Sequence, residues 1–391
     1  MPRVRLAAAA LAWALLLDGS VNPFGGAVEV TLPDGVMEAA ESALGYGSQD
    51  ANGGSRSGAP SFVEIAPGVR MPLVGIGLGV HLKGEAARRA VLAALNAGIR
   101  HVESAHEYEN EAAIGAALRA SGVPRDDVFV TSKCCHNDPC DYTYGAAWRH
   151  VNRTLRDLGL DYVDHYAVHV PGISDADAAK CRARGGDRWG RKNGDGRVEN
   201  GEASMPGTNS ERRRAVWRAM EEIKEAGLAR SIGVSNFQRE HLEDILDDPR
   251  VRHAPVANSV EWHPMYHDVE LREFCVRRGI TLTAYGTLPE YTRRHVAAGK
   301  GRDGGGKAKK AREALERVAE RVGATAAQVT LRWATQRGVP VIPRSASPAH
   351  LEQNAASSHL ELSGEDMAAI DGLRVKSGAK KVYNPHFLTM P

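Results

Sequence analysis

The amino-acid sequence predicts an α/β protein whose single catalytic domain is a (β/α)8 TIM barrel. From Ser61 onwards, short apolar runs of strand length alternate with longer runs in which apolar residues recur at i, i+3 and i+4, the spacing of an amphipathic helix. Eight such units over roughly 280 residues are what a (β/α)8 barrel requires. An open, doubly wound sheet is the alternative. However, no G-x-G-x-x-G motif with a following acidic residue comes after the first strand, so a Rossmann unit is not predicted.

The segment before the barrel predicts targeting rather than a folded domain. Residues 1–20 contain Arg3 and Arg5, then an apolar run from Leu6 to Leu17, then small and polar residues. This is the layout of a secretory signal peptide, and the run is too short for a membrane span. Residues 21–60 are rich in Gly, Ser and Ala and predict a flexible linker, or the second part of a plastid-targeting leader. We expect the secretory pathway or a plastid, with a cytoplasmic location as the alternative.

Eight apolar runs predict the strands of the barrel, at residues 73–78, 101–104, 128–133, 163–170, 231–236, 256–262, 281–286 and 339–345. Amphipathic runs between them predict helices at residues 84–98, 144–159, 211–227 and 269–279. A glycine closes several of these helices, as expected where the chain leaves a helix in a left-handed conformation.

Two segments interrupt this alternation, and we treat both as insertions in a barrel domain of residues 61–391. Residues 172–210 form a Gly-rich, charged stretch after the fourth strand, and residues 289–310 predict a basic loop after the seventh. Within the first, residues 191–202 resemble a calcium-binding loop, but Arg191 stands where a carboxylate would coordinate the ion. A solvated loop is therefore the favoured interpretation.

Composition and cysteine content argue against several classes of protein. A net charge of +2 gives no reason to expect a nucleic-acid partner, and we expect a monomer with no stable membrane span. Five cysteines in 391 residues do not make a disulfide framework, and the odd number leaves at least one thiol without an intrachain partner. Cys134, Cys135, His136 and Cys140 cluster, but their spacing matches no standard zinc site, so no metal is predicted.

Polar residues that follow the predicted strands form a candidate active site, because barrel enzymes place their chemistry at the carboxyl ends of the strands. Glu103 and Tyr108 follow the second strand, Lys133 ends the third and His169 ends the fourth. Tyrosine, with an ordinary pKa near ~10, is a poor acid at neutral pH unless a cation lies beside it. Lys133 would supply that cation, with a carboxylate to orient it. His169 would hydrogen-bond the substrate oxygen that Tyr108 protonates.

Four stretches, in order along the chain, resemble the signature motifs of the aldo-keto reductase superfamily: GIRHVESAHEYENEAAIG, LGLDYVDHYAVHVP, SIGVSNF and VIPRSASPAHLEQN. The resemblance runs from about Ser61 to Gly372, and such an ordered series is more specific than any single motif. It implies a (β/α)8 barrel that binds NADPH and reduces aldehydes or ketones, with a tyrosine protonating the oxygen. Tyr108 falls at the position of that tyrosine, and Lys133 and His169 fall at those of the family's lysine and histidine.

The resemblance also implies which residues hold the nicotinamide end of the cofactor. Ser235 and Asn236 fall where the family hydrogen-bonds the carboxamide, and Tyr285 matches the aromatic residue that stacks on the ring. Ser259 stands where the family has a glutamine, and its shorter side chain could reach the carboxamide only through water.

At the adenosine end, Arg344 and Ser345 match the residues that hold the 2′-phosphate, and Gln353 and Asn354 fall where the family contacts the adenine. His350 replaces an arginine that usually clamps the phosphate. Since Arg344 can still make a bidentate contact, NADPH remains expected over NADH.

Glu103 is a further departure, since the family has an aspartate there. The charge is kept but the side chain is longer by a methylene, and a misplacement of about 1 Å can cost roughly 100-fold in rate. A cofactor-binding barrel with weak or lost turnover, acting as a redox-sensing module, is therefore the alternative function. A metal-dependent hydrolase is disfavoured, because His/Asp clusters at the strand ends are missing. The substrate is expected to be a small carbonyl compound in a pocket lined by Trp262, His106 and Phe387.

Overall fold

The computed structural model describes residues 61–135, 139–174, 177–179, 181, 208–288 and 304–375, so the predicted leader and linker lie outside it. Its strands are β1 (Phe62–Ala66), β2 (Val69–Pro72), β3 (Ile76–Gly77), β4 (His101–Glu103), β5 (Phe129–Cys134), β6 (Val163–Val168), β7 (Ala229–Ser235), β8 (Ala257–Glu261) and β9 (Thr281–Tyr285). Its α-helices are α1 (Gly84–Asn96), α2 (Glu111–Ser121), α3 (Tyr144–Leu158), α4 (Asn209–Glu225), α5 (Arg239–Leu246), α6 (Val269–Arg277), α7 (Gly304–Arg321), α8 (Ala326–Thr335), α9 (Pro348–Ala356) and α10 (Gly364–Asp371).

Strands β3 to β9 form one parallel sheet in chain order, each hydrogen-bonded to the next. Val341 makes parallel bridges to Val74, just before β3, and to Ala284 in β9. Main-chain hydrogen bonds from Gly75 N to Val341 O (2.8 Å) and from Ala284 N to Pro340 O (2.7 Å) join the two edges. The parallel strands of the described residues therefore form a nearly closed barrel, and the predicted fold class is confirmed.

The predicted eighth strand, residues 339–345, is reduced to this bridge. Pro340 and Pro343 have no N–H to donate, so from Pro340 to Pro343 only Val341 and Ile342 can donate main-chain hydrogen bonds to the neighbouring strands. Val341 N donates to Leu73 O (2.8 Å) and Ile342 N donates to Ala284 O (3.1 Å). The apolar run closes the barrel without forming a regular strand.

An antiparallel hairpin of β1 and β2 precedes the barrel, and the sequence interpretation missed it. Gly68 makes the turn with φ of 73°. Alternate residues of the hairpin pack into a small apolar cluster with Phe129, the first residue of β5; they are Val63, Ile65, Val69 and Met71, joined by Leu73. The hairpin thus covers the amino ends of the strands and leaves their carboxyl ends open.

The predicted helices begin and end within two residues of their expected bounds. Gly159 ends α3 with φ of 67°, the left-handed conformation predicted for a helix-closing glycine. Within the barrel, His165 and Tyr166 of β6 are 3% and 0% exposed, as expected for core residues. One prediction is wrong: α7 begins at Gly304, so residues 304–310 are helical rather than the end of a basic loop.

A disulfide joins Cys140, in the 3₁₀ turn Pro139–Asp141, to Cys181 in the first insertion. Cys134, Cys135 and Cys275 are buried thiols. Because Cys140 is bonded to Cys181, it is not available to a zinc site, and His136 and the calcium-like residues 191–202 lie outside the described residues. The part of the chain that the structure describes contains no helix long and apolar enough to cross a membrane. It also contains no group of three or more His, Cys, Asp or Glu placed to hold a metal ion.

Candidate active site

A cavity of about 350 Å³ opens at the carboxyl ends of the barrel strands. Its walls bring together the four predicted catalytic residues and four of the predicted cofactor-binding residues: Glu103, Tyr108, Lys133, His169, Ser235, Asn236, Tyr285 and Arg344. They meet because the carboxyl ends of parallel strands share one edge of the barrel. This cavity is the candidate active site.

Asn110 builds the turn that carries Tyr108 into the cavity. A 3₁₀ turn, His106–Tyr108, follows β4 and leads into α2. The Asn110 side chain, 1% exposed, donates to the main-chain oxygens of Gly79 (3.0 Å) and Leu82 (2.9 Å). It also accepts a hydrogen bond from Ser104 Oγ (2.5 Å). These bonds tie the turn to the loop after β3 and fix the direction of the Tyr108 side chain.

Lys133 and Glu103 form a buried ion pair on adjacent strands, with side chains 3% and 7% exposed. Lys133 Nζ also donates to Ser104 O (3.0 Å) and lies 5.1 Å from the centroid of the Tyr108 ring. Burial lowers the pKa of Lys133 to about 7. The longer glutamate fits because Gly77 has no side chain: a Cβ there would lie 3.2 Å from Glu103 Oε2. The charge pairing expected of a shorter carboxylate is therefore present with glutamate.

Tyr108 and His169 are in contact across the cavity. Tyr108 Oη lies 3.3 Å from His169 Nε2, and the two rings meet edge to face with centroids 5.6 Å apart. Burial raises the pKa of Tyr108 above its ordinary value, and the charges of Glu107 and Tyr285 raise it further. Tyr108 is therefore a weak acid by itself, and proton donation from it requires the neighbouring cation and hydrogen-bond donors.

Glu107 is a cavity residue that the sequence interpretation missed. Its Oε1 lies 3.3 Å from His169 Nδ1, and its side chain is 9% exposed. In the sequence it cannot be told apart from Glu109, the next glutamate along the chain. Glu109 is 62% exposed and pairs with Lys83 on the surface. Only the 3₁₀ turn, which points one glutamate inward and the other outward, distinguishes them.

Asn236, Ser235 and Tyr285 form a connected group at the ends of β7 and β9. Tyr285 Oη donates to Asn236 Oδ1 (2.6 Å), while Asn236 Nδ2 donates to His169 O (3.0 Å) and to Ser235 Oγ (3.1 Å). Asn236 has a left-handed φ of 67°, which turns its side chain back across the barrel mouth. Ser259, on β8, accepts from Ser235 Oγ through its main-chain oxygen (2.9 Å). Its own Oγ is buried and has no hydrogen-bond partner among the described residues.

The predicted adenosine-binding residues lie just before α9 or within it, outside the cavity wall except for Arg344. Ser345 Oγ accepts from Ser347 N (3.1 Å), and Ser347 caps the first turn of α9. His350 and Gln353 are exposed, whereas Asn354 is 3% exposed and its Nδ2 has no hydrogen-bond partner among the described residues. Arg344 thus lies close in the chain to a helix N-terminus, the kind of site that binds phosphate.

The expected pocket-lining residues are not those of the cavity wall. Trp262 is 1% exposed and stacks on Trp333, with ring centroids 6.1 Å apart. His106 stacks on His150, with ring centroids 4.3 Å apart. Phe387 lies outside the described residues. Both predictions that can be checked were wrong, because the Trp262 and His106 side chains pack against other aromatic rings and not toward the cavity.

Comparison with known proteins gives consistent matches over most of the chain. The model of the Aldo/keto reductase family matches residues 76–375. A glyoxal reductase of Bacillus subtilis is 33% identical over 311 residues, covering 80% of this chain and 92% of that protein. Aldo-keto reductase family 1 member C1 of Homo sapiens is 33% identical over 318 residues, covering 80% and 90%. Among solved structures, an aldo/keto reductase from Brucella melitensis is 30% identical, with a TM-score of 0.60, and covers 80% of this chain and 98% of that chain.

Proposed function

Since this chain belongs to the aldo/keto reductase family and is an NAD(P)H-dependent oxidoreductase, we propose that it reduces an aldehyde or ketone to the alcohol with NADPH, using Tyr108 as the general acid. The observation that carries the proposal is the meeting of Tyr108, Lys133 and His169 in one cavity. Tyr108 would protonate the substrate oxygen, since it alone of the three is an ordinary neutral hydroxyl donor at the cavity wall. Lys133 and His169 would assist it.

The proton transfer is supported by the charges around the phenol. Bound NADPH would supply the hydride that the carbonyl carbon accepts. As the carbon takes the hydride, Tyr108 would give its proton to the oxygen, and the phenolate that forms would be stabilised by Lys133, 5.1 Å from the ring centroid. Glu103 holds Lys133 in this place through the buried ion pair. This intact pair argues against the alternative of a decayed, purely sensing barrel.

The residues present fit a nicotinamide cofactor. Ser259 Oγ and Asn354 Nδ2 are buried polar atoms that lack hydrogen-bond partners among the described residues, and an unsatisfied buried group is costly. By the family resemblance both residues fall where the cofactor binds, and a bound cofactor would then supply the missing partners. Arg344, before the N-terminus of α9, would hold a 2′-phosphate, which NADPH has and NADH lacks. These features support NADPH as the cofactor.

Steady-state oxidation of NADPH with a panel of sugar, aliphatic and aromatic carbonyl compounds tests the activity. Tyr108→Phe should leave NADPH binding nearly unchanged and abolish reduction, because nothing then protonates the alkoxide. Tyr162→Phe is the matched control, since Tyr162 Oη is bonded to Asp126 on an exposed surface away from the cavity (2.8 Å). Turnover of Tyr108→Phe within a few-fold of the parent would exclude Tyr108 as the acid. NADPH binding without turnover on any carbonyl would favour the redox-sensing alternative.

We also propose a monomer, testable by light scattering, and a location in an oxidising compartment. The disulfide Cys140–Cys181 supports the compartment, because disulfides persist mainly in oxidising surroundings. Together with the predicted leader, it favours the secretory pathway. Imaging of the full chain with a C-terminal fluorescent tag tests this, and a cytoplasmic signal would contradict it.

A further inference from the structure

Glu107 lies beside the proposed catalytic histidine and has no role in the function proposed above. Its Oε1 is 3.3 Å from His169 Nδ1, and both side chains are buried, at 9% and 10% exposure. The two residues follow different strands, so only the fold brings them together. A buried carboxylate is stable only when a cation or several donors compensate it.

The two ring nitrogens of His169 face different oxygens. Nδ1 lies 3.3 Å from the Glu107 carboxylate, which can only accept hydrogen bonds, so the arrangement favours a proton on Nδ1. Nε2 lies 3.3 Å from Tyr108 Oη. A neutral ring with its proton on Nδ1 could only accept at Nε2, and it would hold the phenol hydrogen away from the substrate. If Nε2 also carries a proton, it donates to Tyr108 Oη and leaves that hydrogen directed at the substrate oxygen.

We therefore propose that Glu107 is a positioning residue that holds His169 as a doubly protonated imidazolium, with Nδ1–H donating to Glu107 and Nε2–H donating to Tyr108. The proposal rests on the proposed function, in which Tyr108 protonates the substrate oxygen. It gives the site a second carboxylate–cation pair, in addition to that of Glu103 with Lys133.

When the carbonyl carbon accepts the hydride, the O–H bond of Tyr108 breaks and its proton goes to the carbonyl oxygen. The phenolate then accepts the Nε2 proton of His169, which leaves a neutral ring still bonded to Glu107 through Nδ1–H. Solvent returns a proton to Nε2 after the alcohol leaves. Each carbonyl reduced thus consumes one hydride from the cofactor and one proton from solvent.

His169 is also fixed in place through its main chain. Its main chain is held by bonds from His169 N to Cys134 O (2.9 Å) and from Asn236 Nδ2 to His169 O (3.0 Å). The remaining titratable and charged groups that line the cavity are Glu103, Lys133, His81, Tyr285 and Arg344. Of the carboxylates that line the wall, Glu103 pairs with Lys133 and Glu107 faces the imidazole.

The protonation state can be read directly by ¹⁵N NMR of the full chain labelled at histidine, with His169 assigned by the signal lost in His169→Asn. The parent protein at pH 7 should show both ring nitrogens of His169 protonated. Glu107→Gln should show a neutral ring, with kcat lower by roughly 100-fold and KM little changed. Glu107→Asp should restore the imidazolium signal and part of kcat. Glu109→Gln is the matched control, because Glu109 pairs with Lys83 at the surface, and it should change neither readout.

Two results would overturn the proposal. One is an unprotonated ring nitrogen on His169 in the parent protein, which needs no variant to fold. The other is a Glu107→Gln protein in which the nitrogen signals and kcat match those of the parent. Failure of the proposed function is distinguishable from failure of this proposal. If the parent protein reduces no carbonyl compound but shows the imidazolium signal, the Glu107–His169 pair is supported and the reaction assigned to Tyr108 is contradicted.

Discussion

Glu103→Gln removes the carboxylate that compensates Lys133 at the centre of the site. Both side chains are buried, at 7% and 3% exposure, so little solvent can replace the lost partner. Among the described residues, Lys133 Nζ would keep a hydrogen bond to Ser104 O (3.0 Å) and its place 5.1 Å from the Tyr108 ring centroid, and neither compensates a full charge. We expect the variant to lose both stability and activity.

The size of the expected loss in unfolding free energy follows from the burial of the Glu103–Lys133 pair. Removing one partner of a buried ion pair costs about 3–5 kcal/mol of unfolding free energy. Burial already lowers the pKa of Lys133 to about 7, so the lysine can escape part of this cost by losing its proton. A loss near ~3 kcal/mol is therefore expected at pH 7. Loss of Glu103 lowers the pKa of Lys133 further, so the folded variant binds fewer protons than the folded parent only below about pH 7, where the parent lysine is still charged. The stability deficit of the variant should therefore shrink as the pH rises through 7, and it should be smaller at pH 9 than at pH 7.

The same change removes the cation that assists Tyr108, so kcat should fall by roughly 100-fold. Urea denaturation at pH 7 and pH 9 measures the stability, and NADPH oxidation with any accepted aldehyde measures kcat. Glu103→Asp is the matched control: it keeps the charge and should retain or improve activity. If Glu103→Gln turns over at the parental rate, the ion pair does not support catalysis and our reasoning is wrong.

Three further outcomes are expected. Arg344→Met should weaken NADPH binding by about 100-fold, because charge-assisted hydrogen bonds contribute roughly 1.5–3 kcal/mol each, and should change NADH binding little. Fluorescence titration with both cofactors measures this, and equal weakening would place the arginine away from the phosphate. Burial raises the pKa of Glu111 from 4.5 to about 7, so the folded state binds more protons and stability should fall as the pH rises through that window. Glu111→Gln should remove up to ~3 kcal/mol of this fall in urea titrations, and an unchanged pH slope would contradict it. Burial lowers the pKa of His101 and of His165 to about 3, so their neutral forms stabilise the fold above the ordinary histidine pKa of 6.5, and this stability is lost as the pH falls toward 3. Acid unfolding followed by circular dichroism should therefore begin at lower pH in His101→Gln, and the same midpoint as the parent would count against the assignment.

Local pattern predicted the regular elements well where one side of the element faces the core. The period of the apolar residues placed α3 and α6 within two residues of their ends, because a helix must bury one face whatever its neighbours are. The pattern failed at residues 339–345, which look like a buried strand. There the two prolines allow only a bridge at Val341. Whether that bridge is enough to close the barrel depends on the two neighbouring strands, and the local pattern of residues 339–345 gives no information about them.

The sequence by itself determined the alternation of strands and helices and the edge at which Glu103, Lys133 and His169 meet, because parallel strands bring their carboxyl ends to one side. The tertiary structure alone decided which of two nearby glutamates enters the cavity, since Glu107 and Glu109 differ only in the direction that one 3₁₀ turn gives them. It also decided the pairing of Cys140 with Cys181, across a sequence separation of 41 residues. Contacts of this kind depend on which distant backbone segments come together in the fold. A local pattern of residues does not contain that information.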